Sequence, residues 1–149
     1  MNIKQELYSQ CLNFVENRIE AIKRNIEEIQ QSLLSETKSS AGDKHETGRA
    51  MIQLEREKAG EQLRDAEALK EVLFKVNPLS TTLKITLGSV VYTSDLNYFI
   101  AISAGQIRIN GIAFFAISPQ TPIGQKLTGK RIGDEVVFRD KTFKINKVE

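Results

Sequence analysis

The sequence "LNFVENRIEAIKRNIEEIQQSL", residues 12–33, decides the first half of the fold. Apolar residues recur in this stretch at alternating spacings of three and four, with charged or amide residues between them. They are Leu12, Val15, Ile19, Ile22, Ile26, Ile29 and Leu33. This spacing is typical of a coiled-coil seam. Because no proline or glycine precedes Gly42, we expect one helix from about Ile3 to Thr37, on the order of 50 Å long.

A second helix, from about Glu46 to Val76, is predicted by another apolar stripe with similar spacing. The stripe consists of Met51, Leu54, Leu63, Ala66, Leu69, Leu73 and Val76. Two stripes joined by a short segment can bury each other only by folding back. We therefore expect an antiparallel coiled-coil hairpin over residues 1–77 with a tip loop at 38–46. Pro78 ends the second helix because proline cannot continue it.

After Pro78 the apolar period changes to two, which predicts β-strands. The candidate strands are 83–87, 98–102, 112–118, 135–139 and 143–145. Between them, Thr121 and Pro122 have the residue types that begin a helix, and Gly129 has the type that ends one. The predicted fold class is α+β, in which the long hairpin is followed by a globular domain over 78–149 that contains a small antiparallel sheet and one short helix.

The composition is that of an ordinary globular protein, since 40% of the 149 residues are apolar and 27% are charged. No stretch approaches the roughly 18 apolar residues of a membrane span, and the amino end lacks the apolar core of a secretory signal, so we expect a cytoplasmic protein. A single cysteine, Cys11, excludes an internal disulfide and a thiolate metal cluster.

Charge is distributed unevenly along the chain. Residues up to Asn77 include 12 Lys or Arg and 14 Asp or Glu, whereas the rest of the chain has 9 and 5. The basic second part favours partners with charged surfaces, but a solvated lysine-rich face of the sheet is the simpler explanation and, on such small numbers, the preferred one.

Three motifs together resemble one protein family. "ISPQTPIGQKLTGKRIGDEVVF" (117–138) resembles the carboxy-terminal signature of the bacterial Gre transcript-cleavage factors, a family of transcription elongation factors. Its Ile-Ser, Ser-Pro-Leu-Gly-like turn, Leu-Gly-Lys and Gly-Asp-Glu-Val follow in the same order. "GSVVYT" (88–93) is similar to the Gly-Ser-x-Val that opens their globular domain, and "GDKHE" (42–46) matches the Gly-Asp-x-x-Glu between their two helices. The chain resembles a divergent member of this family.

The resemblance implies an FKBP-like globular domain that binds bacterial RNA polymerase while the coiled-coil tip enters the secondary channel. Asp43 and Glu46 would then be the catalytic residues, holding an Mg²⁺ ion shared with the polymerase while the nascent RNA of a backtracked complex is cleaved. It also implies an accessory factor that is no enzyme by itself, retains no Mg²⁺ when free, is monomeric and has no membrane partner. The polymerase-binding candidates are Ser118, Gln120, Thr121, Pro122 and Gly124.

Each of these candidate sites has a simpler structural interpretation. Asp43 and Glu46 also fit a capping box, in which both carboxylates bond backbone N–H groups at a helix start. Lys38, Lys44 and Arg49 are candidates for contacts with RNA phosphates, but lysines and arginines on a helix also serve solubility. The turn at 118–124 fits a cap of the short helix as well as a docking surface.

The sequence departs from the family immediately after the acidic pair. Cleavage-active members continue with Asn, Ala, Glu and Tyr, whereas this chain has Thr47, Gly48, Arg49 and Ala50. In the docking turn, Gln120 replaces the usual acid. A non-cleaving regulator that occupies the secondary channel is therefore the alternative. A prolyl isomerase would need an aromatic-lined cleft, and the sequence has no Trp and no evident aromatic cluster.

Overall fold

The chain begins with two long helices. The computed structural model describes the backbone of residues 2–38 and 43–149, and the side chains of residues 2–36 and 47–149. Helix α1 spans Ile3–Lys38 and helix α2 spans Asp43–Phe74. The first helix ends one residue beyond its predicted end, and the second begins three residues before its predicted start. The remaining residues of the predicted tip, 39–42, lie outside the described residues.

Within the compact unit Val15–Lys70, the two helices run antiparallel. Lys70 Nζ lies 3.8 Å from Glu16 Oε1, which pairs the end of α2 with the early part of α1. A Cβ added to Gly48 would lie 3.7 Å from Glu36 Oε1, which pairs the start of α2 with the late part of α1. Because these pairs progress in opposite directions along the two helices, the predicted antiparallel hairpin is confirmed.

The inner face of α2 differs from the predicted stripe. Met51 and Leu54 were expected in the interface but are 62% and 65% exposed. The half-buried or buried series with spacings of three and four is Ile52, Arg56, Ala59, Leu63, Ala66, Lys70 and Leu73. Arg56 and Lys70 conceal this series in the sequence, because a long cationic side chain can bury its stem while the charged end stays near water.

The remaining part of the chain forms a second compact unit, which joins the residues up to Phe14 with Glu71–Glu149. Its strands are β1 (Val90–Thr93), β2 (Tyr98–Ile100), β3 (Gly105–Ile109), β4 (Ile112–Ile117), β5 (Glu135–Phe138) and β6 (Lys141–Val148). They form one sheet in the order β3-β4-β2-β1-β6-β5, and helix α3 spans Pro122–Leu127. All neighbouring strands are antiparallel except β2 and β4, which are parallel. The α+β fold class is confirmed.

One predicted strand fails for reasons of pairing, and two observed strands were not predicted. Residues 83–87 alternate in polarity, but they form only an isolated bridge between Lys84 and Arg131, and Leu83 is 81% exposed. Strand β1 was not predicted, and neither was β3, because the glycines on both sides of β3 indicated turns. Strand β3 is nevertheless a full strand, since all five of its residues pair with β4.

The core of the second unit lies between one face of the sheet and α3. Its buried cluster is Ile85, Val91, Tyr98, Ile100, Leu127, Val136, Phe143 and Ile145. Leu127 comes from α3 and is fully buried. This helix therefore attaches the segment that precedes it, residues 118–121, firmly to the sheet.

The first residues of α1 and the last residues of α2 belong to the same compact unit as the sheet. Leu7 of α1 and Leu73 of α2 are fully buried. Lys4 Nζ donates a hydrogen bond of 2.7 Å to the carbonyl oxygen of Ser80. The pKa of Lys4 is lowered by burial, and the nearby negative charge of Glu149 offsets only part of this shift. The two compact units are defined by contacts and do not coincide with the predicted domains, because the residues up to Phe14 belong to the same unit as the sheet. The predicted division of the chain into domains 1–77 and 78–149 stays a prediction.

The burial of α2 predicts very different costs for the same substitution at two positions. Leu73→Ala should lower the free energy of unfolding by about 2–5 kcal/mol, because it leaves a cavity in a closed site. Leu54→Ala should change it by no more than about 0.5 kcal/mol, because the side chain is mostly exposed. Urea denaturation followed by circular dichroism measures both. Equal losses at the two positions would mean that the predicted stripe, and not the observed one, faces the core.

Candidate functional site

The predicted catalytic pair falls at the beginning of α2. Asp43 is the first residue of the helix, and the backbone of Glu46 is helical one turn later. Positions three apart on a helix lie on the same face, which suits both a capping box and a pair of metal ligands. The side chains of Asp43 and Glu46 lie outside the described residues, as do those of Lys38 and Lys44. Their catalytic, metal-holding and RNA-contacting roles stay predictions.

The residues after the pair are helical, and most of their side chains are exposed. Arg49, the third RNA-contacting candidate, is exposed on α2. Gly48 is not required by packing, because a Cβ there would meet the Glu36 carboxylate at 3.7 Å, an ordinary contact distance. The glycine therefore weakens the first turns of α2 without a steric reason in the described structure.

The turn before α3 is closed by its own hydrogen bonds. The carbonyl oxygen of Ser118 accepts from Thr121 Oγ1 at 2.7 Å, and Ser118 Oγ accepts from the backbone N–H of Gln120 at 3.1 Å. Thr121 Oγ1 in turn accepts from the N–H of Gly124 at 3.1 Å, so Thr121 is the N-cap of α3, with Pro122 following it as predicted. This turn has one well-defined shape.

Gly124 is buried at the closest approach between the turn and α3. A Cβ on this residue would lie 2.3 Å from the carbonyl oxygen of Ser118, far inside normal contact. The carbonyl oxygen of Gly124 also accepts hydrogen bonds from both the N–H and the Oγ1 of Thr128, at 3.0 and 2.7 Å. Packing alone thus explains why a glycine stands here.

The five polymerase-binding candidates therefore differ in how accessible their side chains are to a partner. Gln120 and Pro122 are exposed, Ser118 and Thr121 are half-buried with their hydroxyls inside the turn, and Gly124 is buried. A partner would therefore contact mainly Gln120 and Pro122. The other three residues hold that pair in place.

The described part of the chain offers no preformed metal centre. Among side chains in residues 2–36 and 47–149, no three His, Cys, Asp or Glu residues are grouped so that they could hold a metal ion. This finding does not extend to Asp43 and Glu46, the predicted Mg²⁺ ligands. Within the same described residues, no helix is both long and apolar enough to cross a membrane.

A cavity in the β-containing unit was not predicted from the sequence. It has a volume of about 330 Å³, and we call it the aromatic cavity. Its lining combines the apolar residues Leu96, Tyr98, Phe138 and Phe143 with the charged residues Asp95, Arg139, Asp140 and Lys141. The expectation that the chain has no aromatic cluster is wrong. The three rings come from β2, β5 and β6 and become neighbours only in the folded sheet. The available signal in the sequence was the alternation of Phe143 and Ile145 with polar residues along β6, whereas all three residues of β2 are buried and show no alternation.

Comparisons with known proteins do not identify a function for this chain. No protein-family model matches the sequence, and no curated protein matches it. A solved structure of the transcription factor Gfh1 is similar to this chain at 20% sequence identity and a TM-score of 0.37, and the alignment covers 92% of each chain. We draw no functional conclusion from a likeness of this extent.

Two of the helical glycines, Gly124 and Gly48, predict opposite responses to alanine. Gly124→Ala should lower the free energy of unfolding by about 1–3 kcal/mol, because the new Cβ collides with a backbone carbonyl. Gly48→Ala is the matched control and should raise it by about 0.5–1 kcal/mol, since alanine favours the helix and has room there. Chemical denaturation compares both variants with the unmodified chain. If alanine at 124 were tolerated without loss, the tight-turn explanation of this glycine would be incorrect.

Proposed function

We propose that this protein is a Gre-like transcription factor that binds bacterial RNA polymerase and inserts its hairpin turn into the secondary channel. There it stimulates Mg²⁺-dependent cleavage of backtracked transcripts. One observation carries the proposal. Because α1 ends at Lys38 and α2 begins at Asp43, the Gly-Asp-x-x-Glu motif falls at the junction of two antiparallel helices. The family resemblance requires the motif at such a junction.

The length of the helices supports the same function. Helix α1 has 36 residues and α2 has 32. At 1.5 Å per residue, each is on the order of 50 Å long, which is more than the width of a small domain. A short acidic motif between helices of this length suits a target that lies deep inside a partner, as the active centre of a polymerase does.

Asp43 and Glu46 would hold and orient the ion in this scheme. Their carboxylate oxygens are hard ligands of the kind that Mg²⁺ prefers. When bound, Mg²⁺ would supply charge stabilisation for the hydrolysis of the phosphodiester and help to activate a water. Mg²⁺ requires about six oxygen ligands, and two carboxylates supply too few of them. We therefore propose an accessory factor that has no hydrolytic activity and no stably bound Mg²⁺ when the polymerase is absent.

Other parts of the chain have supporting roles in the proposal. Gln120 and Pro122 would contact the polymerase, since they are the exposed members of the docking turn. Lys38, Lys44 and Arg49 would offset the charge of RNA phosphates near the acidic pair. The protein would act as a monomer in the cytoplasm.

A second function is favoured by the residues that follow Glu46. A regulator that fills the secondary channel without promoting cleavage would need the hairpin and the docking turn but no active tip. This chain has Thr47, Gly48, Arg49 and Ala50 where cleavage-active relatives have another acid and an aromatic residue. Because packing does not require Gly48, its presence is consistent with an altered tip function.

Transcript cleavage in a stalled, backtracked elongation complex with Mg²⁺ tests the proposal. The unmodified chain should shorten the RNA. The variant carrying Asp43→Asn and Glu46→Gln, which keeps size and removes charge, should slow cleavage by about 100-fold or more, because the metal loses ligands worth several kcal/mol. The chain incubated with free RNA and Mg²⁺ is the control and should release nothing.

The other outcomes separate the two functions. If the unmodified chain binds the polymerase, inhibits nucleotide addition and leaves the RNA intact, it is the non-cleaving regulator, and the acidic pair is a helix cap. If it does not bind a bacterial polymerase at all, both functions are excluded.

Polymerase binding by the docking turn makes a separate prediction. Gln120→Ala and Pro122→Ala should each weaken binding by about fivefold or more, as substitutions of central contact residues do. Gln106→Ala is the matched control, since Gln106 is also exposed but lies on β3. All three should change the free energy of unfolding by less than about 0.5 kcal/mol. Equal binding by the three variants, measured by biolayer interferometry with immobilised polymerase, would exclude this turn as the docking surface.

A further inference from the structure

A recess between the first residues of α1 and the turn that joins β3 to β4 has no role in the proposed function. Both of its sides belong to the same compact unit. Its volume is about 290 Å³, at the small end of the range for ligand sites. We call it the polar recess, because polar and charged residues dominate its lining. The lining residues are Glu6, Ser9 and Gln10 on α1, Arg108 and Ile109 at the end of β3, and Asn110 in the turn.

One wall of the polar recess is a single face of α1. Glu6, Ser9 and Gln10 are spaced three and four apart, so their side chains lie on the same side of the helix. Another side of the same turns is anchored in the unit, because Leu7 and Cys11 are fully buried. The packing of α1 therefore holds this wall in place, and the wall does not have to form when a ligand arrives.

The other wall is the end of the hairpin between β3 and β4. Ile109 is buried and pairs with Ile112. Asn110 and Gly111, which join the two strands, have φ angles of +52° and +78°, as two-residue hairpin turns require. Arg108 Nη1 donates a hydrogen bond of 3.2 Å to the carbonyl oxygen of Gly111, which holds the guanidinium over the turn. A guanidinium has several N–H groups, so most of those on Arg108 remain for a ligand.

The two charged residues of the polar recess do not neutralise each other. Among the described residues, no ion pair involves Glu6 or Arg108. The side chains of Ser9, Gln10 and Asn110 form no hydrogen bond within the same part of the chain. Glu6 and Ser9 are half-buried, and the other three polar residues are exposed. The recess thus presents a carboxylate on one wall and a guanidinium on the other, together with neutral donors and acceptors.

We propose that the polar recess binds a free α-amino acid, whose carboxylate is held by Arg108 and whose ammonium group is held by Glu6. A guanidinium matches a carboxylate with two parallel hydrogen bonds, and such charge-assisted bonds are stronger than neutral ones. An ammonium group has three donors and no acceptor, so a carboxylate suits it. A ligand with only one of these charges leaves one wall without a partner. A free α-amino acid carries both charges close together.

The lining disfavours other classes of small ligand. A nucleobase needs an aromatic surface on which to stack, and none of the described residues that line the recess is aromatic. A phosphate group would meet the negative charge of Glu6, and a divalent cation would meet the positive charge of Arg108. Ser9, Gln10 and Asn110 suit a polar side chain on the ligand, so L-glutamine is the probe of choice.

This binding site does not depend on the proposed role in transcription, because its residues are distinct from the turn at 118–124 and from the acidic pair. An amino acid in the recess would contact both α1 and the hairpin between β3 and β4, so it would add a link between them. A ligand that binds only the folded chain raises the unfolding temperature by mass action. Binding is therefore expected to stabilise this compact unit.

A nuclear magnetic resonance titration of the full ¹⁵N-labelled chain with L-glutamine tests the proposal. The amide signals of residues 6–10 and 108–111 should shift in a saturable way, and the unfolding temperature should rise with the L-glutamine concentration. Two analogues probe the charges separately: N-acetyl-L-glutamine lacks the ammonium group, and L-glutamine α-amide lacks the carboxylate. Each should bind at least about tenfold more weakly, since a hydrogen bond between charged groups is lost.

Two variants assign each charge of the ligand to its wall. Glu6→Gln should weaken L-glutamine binding by about tenfold or more but leave the weak binding of N-acetyl-L-glutamine unchanged, because that analogue has no ammonium group to lose. Arg108→Gln should weaken L-glutamine binding to a similar extent and leave the binding of the α-amide unchanged. Glu135→Gln and Arg131→Gln are matched controls that should bind normally, since both residues are exposed and lie outside the recess.

Several results would overturn the proposal. They are the absence of a saturable response to L-glutamine at its solubility limit, shifts confined to residues outside the recess, binding of both analogues as tight as that of L-glutamine, and normal L-glutamine binding by Glu6→Gln and Arg108→Gln. The amide spectra of the same samples show whether each variant is folded, so a loss of binding cannot be mistaken for a loss of structure.

Discussion

The packing of α1 against α2 is the constraint that determines where the acidic motif lies. In the unit Val15–Lys70, α1 contributes buried isoleucines such as Ile22 and Ile29, and α2 contributes buried alanines, Ala59 and Ala66. Large side chains facing small ones let helices approach closely and pack without voids. An antiparallel pair necessarily joins the end of one helix to the start of the next. The acidic motif occupies that junction, so its position follows from the packing of residues far from it.

The same packing weakens toward the junction. Near it, Leu34, Met51 and Leu54 are more than half exposed, and the half-buried Arg56 takes a place in the interface where an apolar residue would contribute more. Apolar burial is the main favourable term in folding, so this part of the hairpin is stabilised less than the part near the sheet. Functional segments are commonly drawn from such less stable regions, since a tight core there would restrict how they meet a partner.

Apart from the polar recess, the β-containing unit presents two surfaces that differ in kind. The turn before α3 is closed by hydrogen bonds through Ser118 and Thr121 and exposes a polar side chain and a proline. The aromatic cavity is a recess in which the rings of Tyr98, Phe138 and Phe143 stand beside charged side chains such as Asp95 and Arg139. Both are supported by the one core to which Leu127 and Phe143 belong. A small fold can carry independent sites in this way because function resides in local geometry and not in the fold.

The sequence alone determined the features that depend on neighbouring residues. The heptad spacing predicted α1 and the hairpin, and the capping residues predicted the start of α3 at Thr121. The motif at Asp43 identified the candidate catalytic pair, whose role stays a prediction. Only the tertiary structure decided the inner face of α2, the pairing of β3 and the aromatic cavity. Helix periodicity and caps act within a few residues, whereas strand partners and cavity walls come from distant segments, whose contacts form only when the whole chain folds.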